Sequence, residues 1–155
     1  MTAPAAGGLR LATVADAAQL LSLWEVLFDD GADQQPAWRS HADEWFGRFV
    51  DDPAVARFPL VEVGGDVVAT AIGTLELGVP NPHCLRGRTV RLANVFTAPD
   101  HRGHGYATEL VQDVIAWARS IGADRVDLSS TPEGQRIYER AGFTLTSAPR
   151  MKLVL

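Results

Sequence analysis

The residues best placed to do chemistry lie between Asn94 and Thr108. The chain there reads Asn94-Val95-Phe96-Thr97-Ala98-Pro99-Asp100-His101-Arg102-Gly103-His104-Gly105-Tyr106-Ala107-Thr108. An apolar strand pattern stops at Pro99, and a short loop with one arginine and two glycines opens a long helical pattern. The first N–H groups of a helix lack partners within it and sit at the positive end of its dipole. Such a turn suits an anion, phosphate above all. Gly103 and Gly105 let the backbone approach a bulky ligand, and Arg102 adds positive charge. A plain turn before a helix would also use glycine, so that reading stands beside the first. Other phosphate motifs are missing. No Gly-Lys-Ser/Thr follows the loop, as a P-loop requires. Thr108 stands where the dinucleotide fingerprint needs its third glycine, and no dinucleotide-type layout opens the chain.

The surrounding pattern supplies the elements that must position this segment. Residues 2–8 are small and read as a flexible lead-in. Leu9 to Ala12 reads as a short strand, and Thr13 as the N-cap of a capping box. Leu20, Leu23, Trp24, Leu27 and Phe28 recur at helical spacing. After a polar break over Asp29 to Gln35, a second helix carries Trp38, Trp45, Phe46 and Phe49 and ends before Pro53. Phe58 to Val63 and Val67 to Leu77 form a hairpin about Gly64-Gly65. A loop spans Gly78 to Arg88, and Thr89 to Thr97 is the next strand. The helix over Gly105 to Ile121 puts Leu110, Val114, Trp117 and Ile121 on one face, with Gly122 as its stop. Arg125 to Leu128 is a strand, and Thr131-Pro132-Glu133 opens a short helix. Phe143 to Thr146 and Met151 to Leu155 read as closing strands. This order predicts an α+β fold, a mixed sheet with helices on both faces.

Within that frame, Arg102-Gly103-His104-Gly105-Tyr106-Ala107 resembles the Arg/Gln-x-x-Gly-x-Gly/Ala pyrophosphate loop of the GNAT superfamily of N-acetyltransferases. Arg102, Gly105 and Ala107 fill the defining positions. Further on, Ile137-Tyr138-Glu139-Arg140-Ala141-Gly142-Phe143 resembles the family's Tyr-Glu-x-x-Gly-Phe run. The element order extends the resemblance over nearly the whole chain. It implies one GNAT-like domain over residues 9–155, with three layers. The sheet would be mostly antiparallel, of about six to seven strands flanked by about four helices.

The resemblance also implies roles. Acetyl-CoA would be the acyl donor, and an amine would attack it directly with no metal. Backbone groups of Val95, Phe96 and Thr97 would pair with the pantetheine arm where the strand over 89–97 splays from that over 125–128. An ordinary core strand is the other reading of those residues, and both can hold. The N–H groups of Gly103, His104, Gly105, Tyr106, Ala107 and Thr108 would hold the pyrophosphate, beside Arg102. Tyr138 matches the family's frequent general acid, because a phenol can protonate the departing coenzyme sulfur. A buried tyrosine with a satisfied hydroxyl is the alternative. Thr131 stands where many relatives carry a coenzyme-binding asparagine, so a hydroxyl of Ser129, Ser130 or Thr131 would have to replace that contact.

An alkylammonium must lose a proton before it attacks. Glu76 is the first candidate base, followed by Glu62 and His83, with a water chain as the family's other route. Asn94 cannot act as a base but can orient an amine or a water. His101 and His104 belong to the phosphate loop. Cys84 would need an activating base such as His83 for a covalent route, and direct transfer is favoured over it. His83 and Cys84 lack the second cluster a metal would need. Trp24, Trp38 and Trp45 suit core packing, on a helix pair that in this family also walls the acceptor site. Asp29, Asp30 and Asp33 form an acidic loop, either merely solvated or attractive to a cationic acceptor. The first two helices and the loop over 78–88 would set the acceptor.

Bulk properties agree. A length of 155 residues suggests one domain. With 46% hydrophobic residues, 21% charged residues and mean hydropathy near zero, the chain reads as globular. No apolar run approaches a membrane span, and no secretory signal is visible at the start. A single cysteine excludes an internal disulfide and favours the cytoplasm. Lys152 is the only lysine among many arginines, a bias suggestive of a bacterial source. A net charge of −5 offers no stripe for nucleic acid. A homodimer is compatible with the resemblance. The expected activity is N-acetyl transfer to a primary amine of a small molecule or peptide. The alternatives are a non-catalytic acyl-CoA-binding module and a protein-modifying acetyltransferase.

Overall fold

In a computed structural model, residues 7–29, 31 and 37–155 are described. Asp30, Asp33 and most of the lead-in lie outside them. The strands are β1 (Gly8–Leu11), β2 (Ala56–Arg57), β3 (Pro59–Val63), β4 (Asp66–Leu77), β5 (Arg88–Thr97) and β6 (Arg125–Asp127). The helices are α1 (Ala17–Leu27), α2 (Ala37–Phe49), α3 (Tyr106–Ser120) and α4 (Gln135–Arg140). The strands form one six-stranded sheet in the order β1-β3-β4-β5-β6, with β2 paired to β4. Every pairing is antiparallel except β5 with β6. That parallel pair follows from chemistry along the chain, because a crossover through α3 returns the strand in the same direction.

Local sequence explains the main turns. Gly64 and Gly65 both have positive φ, +58° and +88°, as the tight β3–β4 hairpin demands. Arg10 grips Asp16 with two N–H groups at 2.8 Å each, while the Thr13 N–H donates to the same carboxylate at 2.8 Å. This cap fixes the entry to α1. The guanidinium holds the Asp16 carboxyl below its ordinary range. At the end of α3, the Gly122 N–H reaches Arg119 O and the Ala123 N–H reaches Ala118 O, which satisfies the last carbonyls.

The sheet buries both faces. On one side Val90, Leu92 and Val61 pack against Leu110, Val111, Val114 and Trp117 of α3. On the other, Leu60, Val67 and Ile72 meet Leu20 and Trp24 of α1 and Phe46 of α2. Each such side chain contributes about 1.5–3 kcal/mol by leaving water. Gly73 lets α3 settle onto β4, since a Cβ there would lie 2.8 Å from Val114 and 2.9 Å from Trp117. Arg57 and Asp113 form a two-pronged ion pair at 2.9 and 3.0 Å that ties β2 to α3.

Three expectations need correction. Neither 143–146 nor 151–155 forms a strand. Their alternating apolar residues find no ladder, and Met151, Leu153 and Leu155 stay more than 80% exposed. Pro149 removes a backbone donor between the two runs. The short strand β2 was not foreseen. The last helix begins at Gln135, not at Pro132, because Thr131 Oγ1 takes the Gly134 N–H at 3.3 Å in a separate turn.

Candidate functional site

Strand β5 outlasts its neighbour. β6 pairs with it only from Thr89 to Arg91, yet β5 continues to Thr97 beside β4. Beyond Arg91 the outer edge of β5 is therefore open, and an open edge can take an extended ligand as an added strand. The opening is reinforced by a bulge. Thr70 pairs with Phe96 and Ile72 with Ala93, so β5 spends one more residue than β4 over that stretch. Asn94 sits in the bulge at φ +51°, alone among the described non-glycine residues in having positive φ. Asparagine tolerates that conformation better than most residues.

The turn after β5 closes the cleft from above. Gly103 and Gly105 have φ of +84° and +78°. A Cβ at either would meet nothing within 4 Å. Packing therefore does not demand glycine, but the backbone conformation does. Gly105 is the residue before α3, so the first N–H groups of that helix face out of the turn. From Gly103 through Thr108, no backbone N–H finds a protein acceptor among the described residues. Such a run of free donors at a helix start is the fit expected of an anion cradle. Arg102 donates to Thr97 O at 3.2 Å, and its guanidinium carbon lies 5.7 Å from the Phe96 ring centre. His104 and Tyr106 stack with centroids 5.4 Å apart, and His104 Nδ1 lies 3.0 Å from His101 O.

Together these elements enclose a cleft of about 610 Å³. Val95, Phe96 and Thr97, the loop from Arg102 to Thr108, Thr131 and Tyr138 all line it. All of these are residues whose motifs point to one site, and the structure brings them together. Asn94, from the bulge, and Ser129 line it as well, and the structure adds Leu27 and Phe28 from the end of α1. Helical spacing alone marks Leu27 and Phe28 in the sequence. No residue pattern separates a helix end that walls a cleft from one that packs in a core.

Tyr138 projects from α4 into the cleft. Burial pushes its phenol up from the ordinary value. Its ring meets Phe143 edge-on with centroids 5.9 Å apart. Among the described residues no protein group hydrogen-bonds its hydroxyl.

The candidate bases fare differently. Glu76 is exposed and pairs across the strands with Thr89. That position is five residues before Asn94 on β5, or about 17 Å along the strand. It does not line the cleft. Glu62 is held by Arg10 at 2.8 Å, outside the cleft. His83 is exposed in the 78–88 loop. That loop lies at the far end of β4 and β5 and does not line the cleft. Cys84 is buried there beside Thr89 and donates to Asp124 at 3.4 Å. The Arg88 and Arg86 backbone N–H groups hold that carboxyl down to about 2. Cys84 thus belongs to a latch that fixes the loop. No carboxylate lines the cleft among the described residues, and no His/Cys/Asp/Glu cluster there could hold a metal. No described helix is long and apolar enough to cross a membrane.

The family model described as the acetyltransferase (GNAT) family matches residues 18–143. No curated protein matches the sequence. Among solved structures, the chain resembles a predicted acetyltransferase from Clostridium acetobutylicum crystallised with acetyl-CoA. The TM-score is 0.84 at 21% identity, over 96% of each chain. A GCN5-related N-acetyltransferase from Ralstonia eutropha JMP134 gives 0.81 at 20% identity, over 96% of this chain and 99% of that one. A glucosamine-6-phosphate N-acetyltransferase from Arabidopsis thaliana gives 0.77 at 18% identity, over 96% and 98%.

Proposed function

The chain belongs to the acetyltransferase (GNAT) family, and we propose that it moves an acetyl group from acetyl-CoA to a primary amine of a small molecule or peptide. The observation that carries this reading is the row of acceptor-free N–H groups from Gly103 to Thr108 beside the open edge of β5. A diphosphate supplies oxygen acceptors and negative charge for such a row. Gly103 and Gly105 leave room for it, and Arg102 stands at its margin. Backbone groups of Val95, Phe96 and Thr97 take the pantetheine arm as an added strand. Acetyl-CoA supplies the activated thioester carbonyl.

The neutral amine nitrogen attacks that carbonyl, the C–S bond breaks, the leaving sulfur takes the Tyr138 proton, and the proton lost by the acylated nitrogen passes through water to restore the phenol. Tyr138 suits the step because burial keeps its proton in place and no protein acceptor competes for it. Glu76 is not carried forward as base. With no carboxylate lining the cleft, the ammonium proton leaves through water, and Asn94 can orient the amine or that water. Thr131 and Ser129 offer hydroxyls where a coenzyme-binding side chain is expected. The single cysteine, buried and unpaired, favours the cytoplasm as compartment.

Mixing the purified chain with acetyl-CoA, a panel of amines and a thiol reagent tests the proposal. Amine-dependent thiol release is the expected result. Tight coenzyme binding with no release across the panel would leave a binding module instead. No binding at all would remove both readings.

A further inference from the structure

A second cavity, of about 540 Å³, lies between β6, α4 and the chain after Phe143. It shares Ser129 and Tyr138 with the coenzyme cleft, so an occupant would approach the same phenol. Its charged lining is three guanidiniums, Arg91, Arg125 and Arg150, against the carboxylates of Asp127 and Glu139. Arg125 is matched by Asp127 at 3.6 Å and also donates to Thr89 Oγ1 at 3.2 Å. Glu139 accepts from Gln135. Arg91 and Arg150 remain, and both converge on one atom. They donate to Ser129 Oγ at 3.0 and 2.9 Å, and no described carboxylate lies within salt-bridge distance of either.

A hydroxyl oxygen offers two lone pairs, so these two donors fill it. Each guanidinium carries five N–H groups and retains several without a partner. Both hydrogen bonds are solvent-exposed, so water screens the repulsion between the two charges to about 1 kcal/mol, and an anion bridging them would relieve it and use the spare donors. The two charges gather in a chain whose net charge is −5. Carboxylate and phosphate oxygens match a guanidinium fork. We infer that this cavity seats the acceptor, and that the acceptor is an amine bearing a carboxylate or phosphate group held by Arg91 and Arg150. The inference rests on the acetyltransferase reading above and narrows its substrate class.

The test uses matched amines with the full chain: ethanolamine against O-phosphoethanolamine, and lysine amide against lysine. The expected result is a kcat/KM about tenfold or more higher for an anionic member than for its neutral partner, the size of one charge-assisted hydrogen bond. Preference for the phosphate pair, the carboxylate pair or both identifies the anion. Arg91→Gln and Arg150→Gln should remove the preference through acceptor KM rather than kcat, and Arg91→Lys should restore part of it. Equal rates within both pairs, or a preference that survives the double substitution, would overturn the inference while leaving acetyl transfer intact. If no amine in the panel turns over, the guanidinium Nε–H signals decide. Shifts at Arg91 and Arg150 on adding O-phosphoethanolamine but not ethanolamine support the site, and unmoved signals refute it. Coenzyme binding is measured separately, so failure of the acetyltransferase reading shows itself apart from failure of this one.

Discussion

Replacing Tyr138 by phenylalanine removes one oxygen whose hydroxyl has no protein partner among the described residues. The ring keeps its edge-on packing with Phe143. No hydrogen bond is lost and no buried acceptor is orphaned, so folding stability should change by less than about 1 kcal/mol. The rate should change far more. A positioned general acid contributes about a hundredfold or more, which corresponds to about 2.7 kcal/mol of barrier at 1.36 kcal/mol per decade. The assay is thiol release from acetyl-CoA with a saturating amine, followed across pH together with thermal melts. Because burial raises the Tyr138 phenol above its ordinary 10.0, the wild-type profile should show no descending limb below about pH 10. The variant should lose kcat with coenzyme affinity little changed. A Tyr138→Phe enzyme within about threefold of wild type at every pH would remove the residue from the mechanism. A descending limb well below pH 10 in the wild type would contradict the burial argument.

Other consequences follow from the same geometry. With no carboxylate lining the cleft among the described residues, the ascending limb of kcat/KM should track the ionisation of the acceptor itself. Amines of different basicity should shift that limb, and a limb fixed across amines would point to an unrecognised base. Asp16→Ala should cost about 2 kcal/mol at neutral pH, because two charge-assisted hydrogen bonds and a cap are lost. Since the folded Asp16 carboxyl titrates below its unfolded 3.8, that contribution is complete above pH 3.8 and fades as pH falls through the lower folded value. Denaturant melts of wild type and variant should therefore converge only in strong acid. Gly73→Ala should cost about 1–3 kcal/mol by overpacking against Val114 and Trp117, lowering Tm by about 2–4 °C per kcal/mol.

How much of this was legible in the sequence depends on whether the cause was local. Gly64-Gly65 and Gly122 announced their turns because positive φ has a residue signature. The glycines before α3 did the same, and two motifs at a fixed separation carried the site with them. The closing strands failed for the opposite reason. Alternation in 143–146 and 151–155 specifies a face but not a partner, and no strand of this sheet pairs with either run. Glu76 lies outside the cleft for a related reason. Its strand was foreseen, but its distance from the cleft depends on the β4–β5 register, which is non-local. The bulge at Asn94 leaves no local mark, since asparagine is common outside the left-handed region as well. Arg91, Ser129 and Arg150 are far apart in the chain, and only the fold brings them to one atom.

The most direct measurement is an amide NMR titration of the intact chain with coenzyme A, using pantetheine as the comparison. Large shifts of the Gly103 to Thr108 N–H signals with coenzyme A, and none with pantetheine, are the predicted result. Loop signals that stay unmoved while coenzyme A binds elsewhere, or no binding at millimolar coenzyme, would contradict the account.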